Sequence, residues 1–177
     1  MAVPGSSSKN SEEARMKVVY PGTFDPITMG HIDIIKRAVS VFGSLHVSVA
    51  EATPKETMFT TGQRVELVKG SIREAGLNSG VTVCSFKGLL VNHMMRTGAS
   101  VFIRGLRAVS DFEYEFQLQL MNRRLAPGIT GVYMMPSESN IYLSSTLVKE
   151  IARYGGDITS LVLPCVRGAL EERGENG

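Results

Sequence analysis

Between Tyr20 and His31 the chain reads Tyr20-Pro21-Gly22-Thr23-Phe24-Asp25-Pro26-Ile27-Thr28-Met29-Gly30-His31, a turn-rich run ending in a histidine where a helical pattern begins. A helix N-terminus presents backbone N–H groups that lack intrahelical acceptors and so attracts phosphate, and an imidazole beside it can donate to a phosphoryl oxygen. Gly30 would let a ligand approach the backbone closely. Lys55 stands in a loop opened by Pro54, where a flexible ammonium can meet a phosphate as a point charge. Arg104 and Arg107 flank Gly105, and their planar forks suit phosphate, although Arg107 also has Asp111 and Glu113 within ion-pairing reach. Asn140-Ile141-Tyr142-Leu143-Ser144-Ser145-Thr146 ends in three hydroxyls at a helix start, which supply capping oxygens and free backbone donors together. Each group has an ordinary reading by itself: a helix-start histidine, a solvated lysine, a cap. Their common chemistry is the handling of phosphate.

Such residues act together only if the fold gathers them. Val18 to Tyr20 reads as a buried strand, and Ile32, Ile35, Val39 and Phe42 follow at i, i+3, i+7 and i+10, the apolar stripe of a helix. Leu45, Val47 and Val49 alternate as a second strand; Thr60 with Gln63 forms a capping box before a helix carrying Val65, Val68 and Ile72. Val81 to Phe86 and Ser100 to Arg104 predict two further strands, separated by a short helix from Leu89 to Thr97 that Gly98 can end in the left-handed conformation. Ser110 with Glu113 makes another capping box, opening a helix on which Phe112, Phe116 and Leu120 recur at i, i+4 and i+8. Thr130 to Met135 is the fifth strand, followed by a polar loop, a helix from about Thr146 to Tyr154 stopped at Gly155-Gly156, and a last helix with Pro164 in its first turn. Strands alternating with helices call for a parallel sheet covered on both faces, since parallel neighbours need right-handed crossovers. The expected fold is α/β, a doubly wound, five-stranded parallel sheet of Rossmann-like type. Ligands of such sheets sit outside the carboxyl ends of the strands, so residues just after strands matter most.

Composition narrows the function. At 177 residues and 43% hydrophobic, the chain suits one domain, expected over residues 16–177. Residues 1–15 are small, polar and charged and read as a disordered extension or an expression remnant. A net charge of +2 and the lack of a basic stripe argue against nucleic-acid binding, so a phosphate site must come from local placement of cations. Cys84 and Cys165 are far apart with no metal-ligand spacing, which argues against disulfides and zinc and fits a reducing, cytoplasmic setting. No apolar run reaches the length of a membrane span. His46 in a strand pattern and His93 in a helix read as structural or surface residues.

Neither G-x-G-x-x-G after the first strand nor G-x-x-x-x-G-K-[ST] anywhere is present, so ordinary dinucleotide binding and P-loop hydrolysis lose their support. The run from Tyr20 to Asp33, with T-x-G-H in place of H-x-G-H, instead resembles the signature of the HIGH-superfamily nucleotidyltransferases in its phosphopantetheine adenylyltransferase form. The resemblance extends over about residues 17–170, through Pro54-Lys55 with Met58-Phe59-Thr60, Ile103 to Val109 with Asp111-Phe112-Glu113-Tyr114-Glu115, and Leu143-Ser144-Ser145-Thr146. It implies transfer of AMP from ATP to 4′-phosphopantetheine, giving dephospho-coenzyme A and pyrophosphate, with magnesium arriving on ATP and no protein metal site. His31, Lys55 and Arg104 would be catalytic, surrounding the reacting phosphates with Thr23. The resemblance puts Thr23, Phe24, Gly105, Leu106, Arg107, Glu115 and Asn140 to Thr146 on ATP, and Leu90, with Thr23, Lys55 and Arg104, on phosphopantetheine. Leu143 replaces the usual Ile, Met29 a frequent Asn, and Lys149 an Arg of some members. A homohexamer and inhibition by coenzyme A, which resembles both substrates joined, are further expectations. Transfer to nicotinate mononucleotide or another phosphate acceptor is the nearest alternative; a nucleotide- or RNA-binding module is a poorer one, for the chain has no K-M-S-K-S segment.

Overall fold

A computed structural model describes residues 16–51, 57–107 and 109–174, with the side chains of Val109 and Ser110 outside the described set. The expectation for residues 1–15 and the position of Lys55 therefore lie outside what is described, and the Ser110 capping box is corrected, because the helix it would open already begins at Val109 and Ser110 stands inside its first turn. The strands are β1 (Val18–Gly22), β2 (Leu45–Ala50), β3 (Val81–Phe86), β4 (Val101–Gly105) and β5 (Thr130–Met134). The α-helices are α1 (Met29–Phe42), α2 (Thr61–Glu74), α3 (Leu90–Thr97), α4 (Val109–Leu125), α5 (Ser145–Arg153) and α6 (Pro164–Gly174).

All four strand pairings are parallel, in the order β3-β2-β1-β4-β5. The chain thus winds outward from β1 in one direction, then crosses back to lay β4 on its other side, so the topological switch lies between β1 and β4. Alternate residues of the central strands feed opposite faces. Val18, Tyr20, Val101 and Ile103 join a core with Ile32 and Ile35 of α1, Val68 and Ile72 of α2, Val148 of α5 and Val166 of α6. Val19 and Phe102 face the other way, onto Val91 and Met94 of α3 with Ala126 and Ile129. Each fully buried aliphatic side chain contributes about 1.5–3 kcal/mol, which fixes the register, since a one-residue slip would turn both faces inside out.

Local signals hold the helix ends. Thr60 Oγ1 accepts from Gln63 N–H while Gln63 Oε1 accepts from Thr60 N–H, the expected capping box. Gly98 ends α3 at φ 69°, a left-handed conformation that glycine adopts without cost. One expectation meets a different outcome. Phe112, Phe116 and Leu120 of α4 are 50%, 50% and 52% exposed, with the two phenyl rings stacked at 5.8 Å. Their stripe points away from the sheet, and Tyr114, Met121 and Leu125 are exposed as well, so α4 is apolar on more sides than its own chain covers. No helix among the described residues is long and apolar enough to cross a membrane.

Candidate active site

Strands β1 and β4 pair only through Val18–Val101 and Val19–Phe102, whereas β1 stays paired with β2 as far as Gly22. Beyond Val19 the two central strands separate, and an open cavity of about 350 Å³ fills the gap at their carboxyl ends. Arg104, near the end of β4, spans the opening by donating from Nη1 to Pro21 O at 3.3 Å. The same opening receives the N-termini of α1 and α5, whose lining residues are Thr28, Gly30 and His31 from one helix start and Ser144, Ser145 and Thr146 from the other. Two sets of backbone donors and two positive helix ends thus converge on one volume, an arrangement that favours phosphate.

The loop from β1 to α1 is held firmly. Phe24 has φ 49°, unfavourable for a side chain with Cβ, and persists because its surroundings over-determine it. Its ring lies edge-on to Tyr20 at 5.4 Å and to the His31 imidazole at 5.1 Å. A Cβ on Gly22 would come within 2.8 Å of that ring, so glycine is required there for the close approach. On one side of Phe24, the buried Arg64 of α2, 1% exposed, donates to Thr23 O at 2.7 Å, and also to Ala50 O and Phe59 O. On the other side the buried Asp25 carboxylate accepts from Met58 N–H and Phe59 N–H, each at 2.9 Å, and from Lys149 Nζ at 2.8 Å. Burial alone would raise the Asp25 pKa; the bonds from Lys149, Met58 and Phe59 outweigh it and hold the carboxyl below its usual range. Ser145 adds a bond from Oγ to Pro26 O at 2.8 Å, tying the loop to α5.

His31 is half-buried at the cavity wall. Its Nδ1 lies 3.1 Å from Thr28 N and 2.9 Å from Thr28 Oγ1, while Thr28 Oγ1 accepts from His31 N–H in a capping box. Desolvation, helped by the Arg107 charge, pushes the imidazole pKa down to about 4. Tyr20, buried beside it, has its phenol pKa raised by desolvation, with Arg104 and Arg107 pulling the other way.

The guanidinium groups are held by carboxylates. Arg104 Nε is 3.4 Å from Glu115 Oε2, and Arg107 Nε is 3.3 Å from Asp111 Oδ2, the ion pair that sequence spacing allowed. Arg107 Nη1 also reaches Leu143 O at 3.4 Å. Of the hydroxyls, Ser144 caps α5 by accepting from Leu147 N–H at 3.1 Å and Ser145 holds Pro26 O, so two of the three carry structural bonds. The N–H groups of Ser145 and Thr146, in the first turn of α5, have no intrahelical acceptor.

The cavity lining brings together Thr23, Phe24 and His31 with Arg104, Gly105 and Arg107. Glu115, Asn140, Leu143, Ser144, Ser145 and Thr146 line it too. Leu106, Ile141 and Tyr142 do not; Tyr142 is 87% exposed. Leu90 also lies outside the lining, packed at the start of α3 against the second core cluster, which holds Val19 of β1 and Val91 of α3. Lys55 is outside the described residues. A Cβ on Gly30 would meet Asn140 O and Thr28 Oγ1 at an ordinary 3.6 Å, so the backbone there lies beneath the 140–143 segment. Sequence reasoning did not single out Asp25, Arg64, Thr28 or Tyr20. The T-x-G-H spacing, an N-cap followed three residues later by a hydrogen-bonding side chain, was an available signal for Thr28. His93 stacks on Phe86 at 4.6 Å and bonds Ser48 Oγ, His46 bonds Thr82 Oγ1, and both cysteines are free, all of which are structural placements. Among the described residues no group of three or more His, Cys, Asp or Glu comes together as a metal site.

Comparison with known proteins accords with this arrangement. Residues 19–151 match the model of the cytidylyltransferase-like family. A phosphopantetheine adenylyltransferase of Methylacidiphilum infernorum is 48% identical over 157 residues, 89% of this chain and 90% of the relative. A Vibrio parahaemolyticus structure described as a nicotinate-nucleotide adenylyltransferase superposes with TM-score 0.67 at 20% identity, over 90% of this chain and 94% of the other, and so shares the fold. With a family match across most of its length and a full-length relative at near-half identity, the chain belongs to the cytidylyltransferase-like family and, within it, to the phosphopantetheine adenylyltransferases.

Proposed function

We propose that the chain reversibly transfers the adenylyl group of ATP to the phosphate of 4′-phosphopantetheine, giving dephospho-coenzyme A and pyrophosphate. The observation that carries the reading is the convergence of two helix N-termini with His31, Arg104 and Arg107 where β1 and β4 part. The acceptor is a phosphate monoester, largely dianionic at neutral pH because its second pKa is near 6. It needs no general base. What limits the reaction is repulsion between an anionic nucleophile and a triphosphate, together with in-line alignment. Arg104 and Lys55 offset that repulsion, His31 donates to the α-phosphoryl oxygens as charge shifts, and the amides at the start of α5 hold the outgoing phosphates. The reaction is a single displacement: the acceptor oxygen bonds the α-phosphorus as its bond to the bridging oxygen breaks, and pyrophosphate leaves with that electron pair.

Magnesium accompanies ATP in this reading. Asp25 and Glu115, the carboxylates lining the cavity among the described residues, are taken by Lys149 and Arg104, so they do not form a protein cage and the ion rests on phosphates and water. Coenzyme A, which resembles the two substrates joined, competes for the same cleft; competitive binding measurements test this. The uncovered stripe of Phe112, Phe116 and Leu120 supports assembly, and we assign the expected homohexamer to it. Light scattering that gave a clean monomer would overturn the assignment. Two free cysteines fit a reducing, cytoplasmic setting. An acceptor panel tests the substrate: 4′-phosphopantetheine should give the highest kcat/KM, and preference for nicotinate mononucleotide would replace this reading with its nearest alternative.

A further inference from the structure

We infer that Thr28 locks His31 as a neutral imidazole with its proton on Nε2, so that the histidine enters the site as an uncharged donor. The inference deepens the reading above, in which His31 donates to the phosphoryl group. The geometry leaves Nδ1 little choice. Thr28 N–H points at that atom from 3.1 Å, and an amide hydrogen needs a lone pair there. Thr28 is 2% exposed, so its amide has no recourse to water. A proton on Nδ1 could still be accepted by Thr28 Oγ1 at 2.9 Å, but it would face the amide hydrogen and strand a buried donor, a cost that disfavours the tautomer by about tenfold or more. Turning the ring over would put a C–H against the amide with the same result. Thr28 Oγ1 already accepts from His31 N–H, so one residue fixes both the start of α1 and the face of the ring.

Burial and the nearby Arg107 charge oppose the imidazolium. Arg107 approaches from the turn after β4, and Arg104 of β4 and Lys149 of α5 line the same cavity. Tyr20 of β1 and Phe24 of the β1–α1 loop present aromatic rings, at 6.5 and 5.1 Å between centroids. Among the described residues, the carboxylates that line the cavity are committed elsewhere, Asp25 to Lys149 and Glu115 to Arg104. The positive charge at the reaction centre is therefore supplied by arginine and lysine, and His31 adds a directed hydrogen bond that stays present as pH changes. Thr28 is a positioning residue: it acts through His31.

The test is nitrogen NMR of the full chain labelled at histidine and threonine, without substrate. The chain has three histidines, His31, His46 and His93, and a His31→Gln variant assigns the ring directly. Should that variant fail to fold, scalar coupling across the Thr28 N–H···Nδ1 bond assigns it in the native protein. The expected spectrum has a bare, hydrogen-bonded Nδ1, a protonated Nε2 and that coupling, unchanged between pH 8 and about 5.5, where an ordinary imidazole of pKa ~6.5 would be mostly charged. A proton on Nδ1, a mixture of tautomers or an imidazolium at pH 6 would overturn the inference. The spectrum is read without substrate, so a protein that gives it yet makes no dephospho-coenzyme A would refute the reaction while leaving this assignment intact. Thr28→Val supplies a second measurement: it keeps the amide, so Nδ1 should stay bare, but it removes the 2.9 Å hydroxyl contact that seats the ring, so kcat should fall by about tenfold with KM for ATP little changed, and Thr28→Ser should restore it. A loss carried by KM alone would overturn the positioning role.

Discussion

Replacing Asp25 by asparagine keeps the size of a buried side chain and removes only its charge and one acceptor. The native carboxylate takes three bonds, from Met58 N–H, Phe59 N–H and Lys149 Nζ. Hydrogen bonds to a charged group contribute about 1.5–3 kcal/mol and neutral ones about 0.5–1.5, so each of the three weakens by about 1 kcal/mol. The amide must also turn its NH2 toward at least one donor, because Oδ1 receives Phe59 while Oδ2 receives Met58 and Lys149. The expected total is about 3–5 kcal/mol, the range found when one partner of a buried ion pair is removed. Urea unfolding at pH 7 measures it. The pH dependence gives a second check with a fixed sign. Asp25 is held below its unfolded pKa, so its contribution is present above about pH 4 and is lost as pH falls through the lower folded value. The gap between native and variant proteins should therefore close in acid. A loss below ~1 kcal/mol at pH 7, or a gap that stays constant to pH 3, would refute the reasoning.

Other perturbations test the site group by group. His31→Ala should lower kcat by about 10²–10³, the usual cost of one transition-state donor; unchanged kcat with a raised KM would place His31 in ground-state binding. Arg104→Ala and Lys55→Ala should give non-additive losses in a double-mutant cycle, since both are assigned to one phosphate-rich centre, and strict additivity would separate them. The His31 pKa is depressed to about 4, so its stability contribution is present above the unfolded value near 6.5 and lost as pH falls toward 4. The native protein should weaken by roughly 1–3 kcal/mol over that window, and His31→Gln should flatten this part of a pH–stability curve. Pyrophosphate exchange into ATP should be absent without acceptor, whereas exchange at a rate near turnover would demand a covalent adenylyl-enzyme.

How much of this could be read beforehand depended on the range of the interaction. Strand alternation at Leu45, Val47 and Val49, the Thr60–Gln63 box and Gly98 are set by neighbours in sequence, and the structure places them as expected. The cleft was legible too, because a doubly wound sheet opens at its switch point and the phosphate-suited residues follow strands. Long-range partners were not. Asp25 and Lys149 are 124 positions apart, and Arg64 meets Thr23 across 41, so no local pattern marks them. Arg64 sits in a helix where a polar residue ordinarily faces water; tertiary contact with three backbone carbonyls buries it instead. Glu115 was placed at the nucleotide by resemblance alone, and no local pattern marked its ion pair with Arg104 of β4. The apolar stripe of α4 was read correctly as a pattern, but periodicity cannot say whether the covering surface belongs to the same chain.

The most direct test of the account is a product analysis with purified protein, ATP labelled in its adenosine moiety and 4′-phosphopantetheine. The label should appear in dephospho-coenzyme A, with one pyrophosphate released for each molecule formed and none when the acceptor is omitted. Pyrophosphate release without dephospho-coenzyme A, or transfer of the label to a different acceptor under the same conditions, would contradict it.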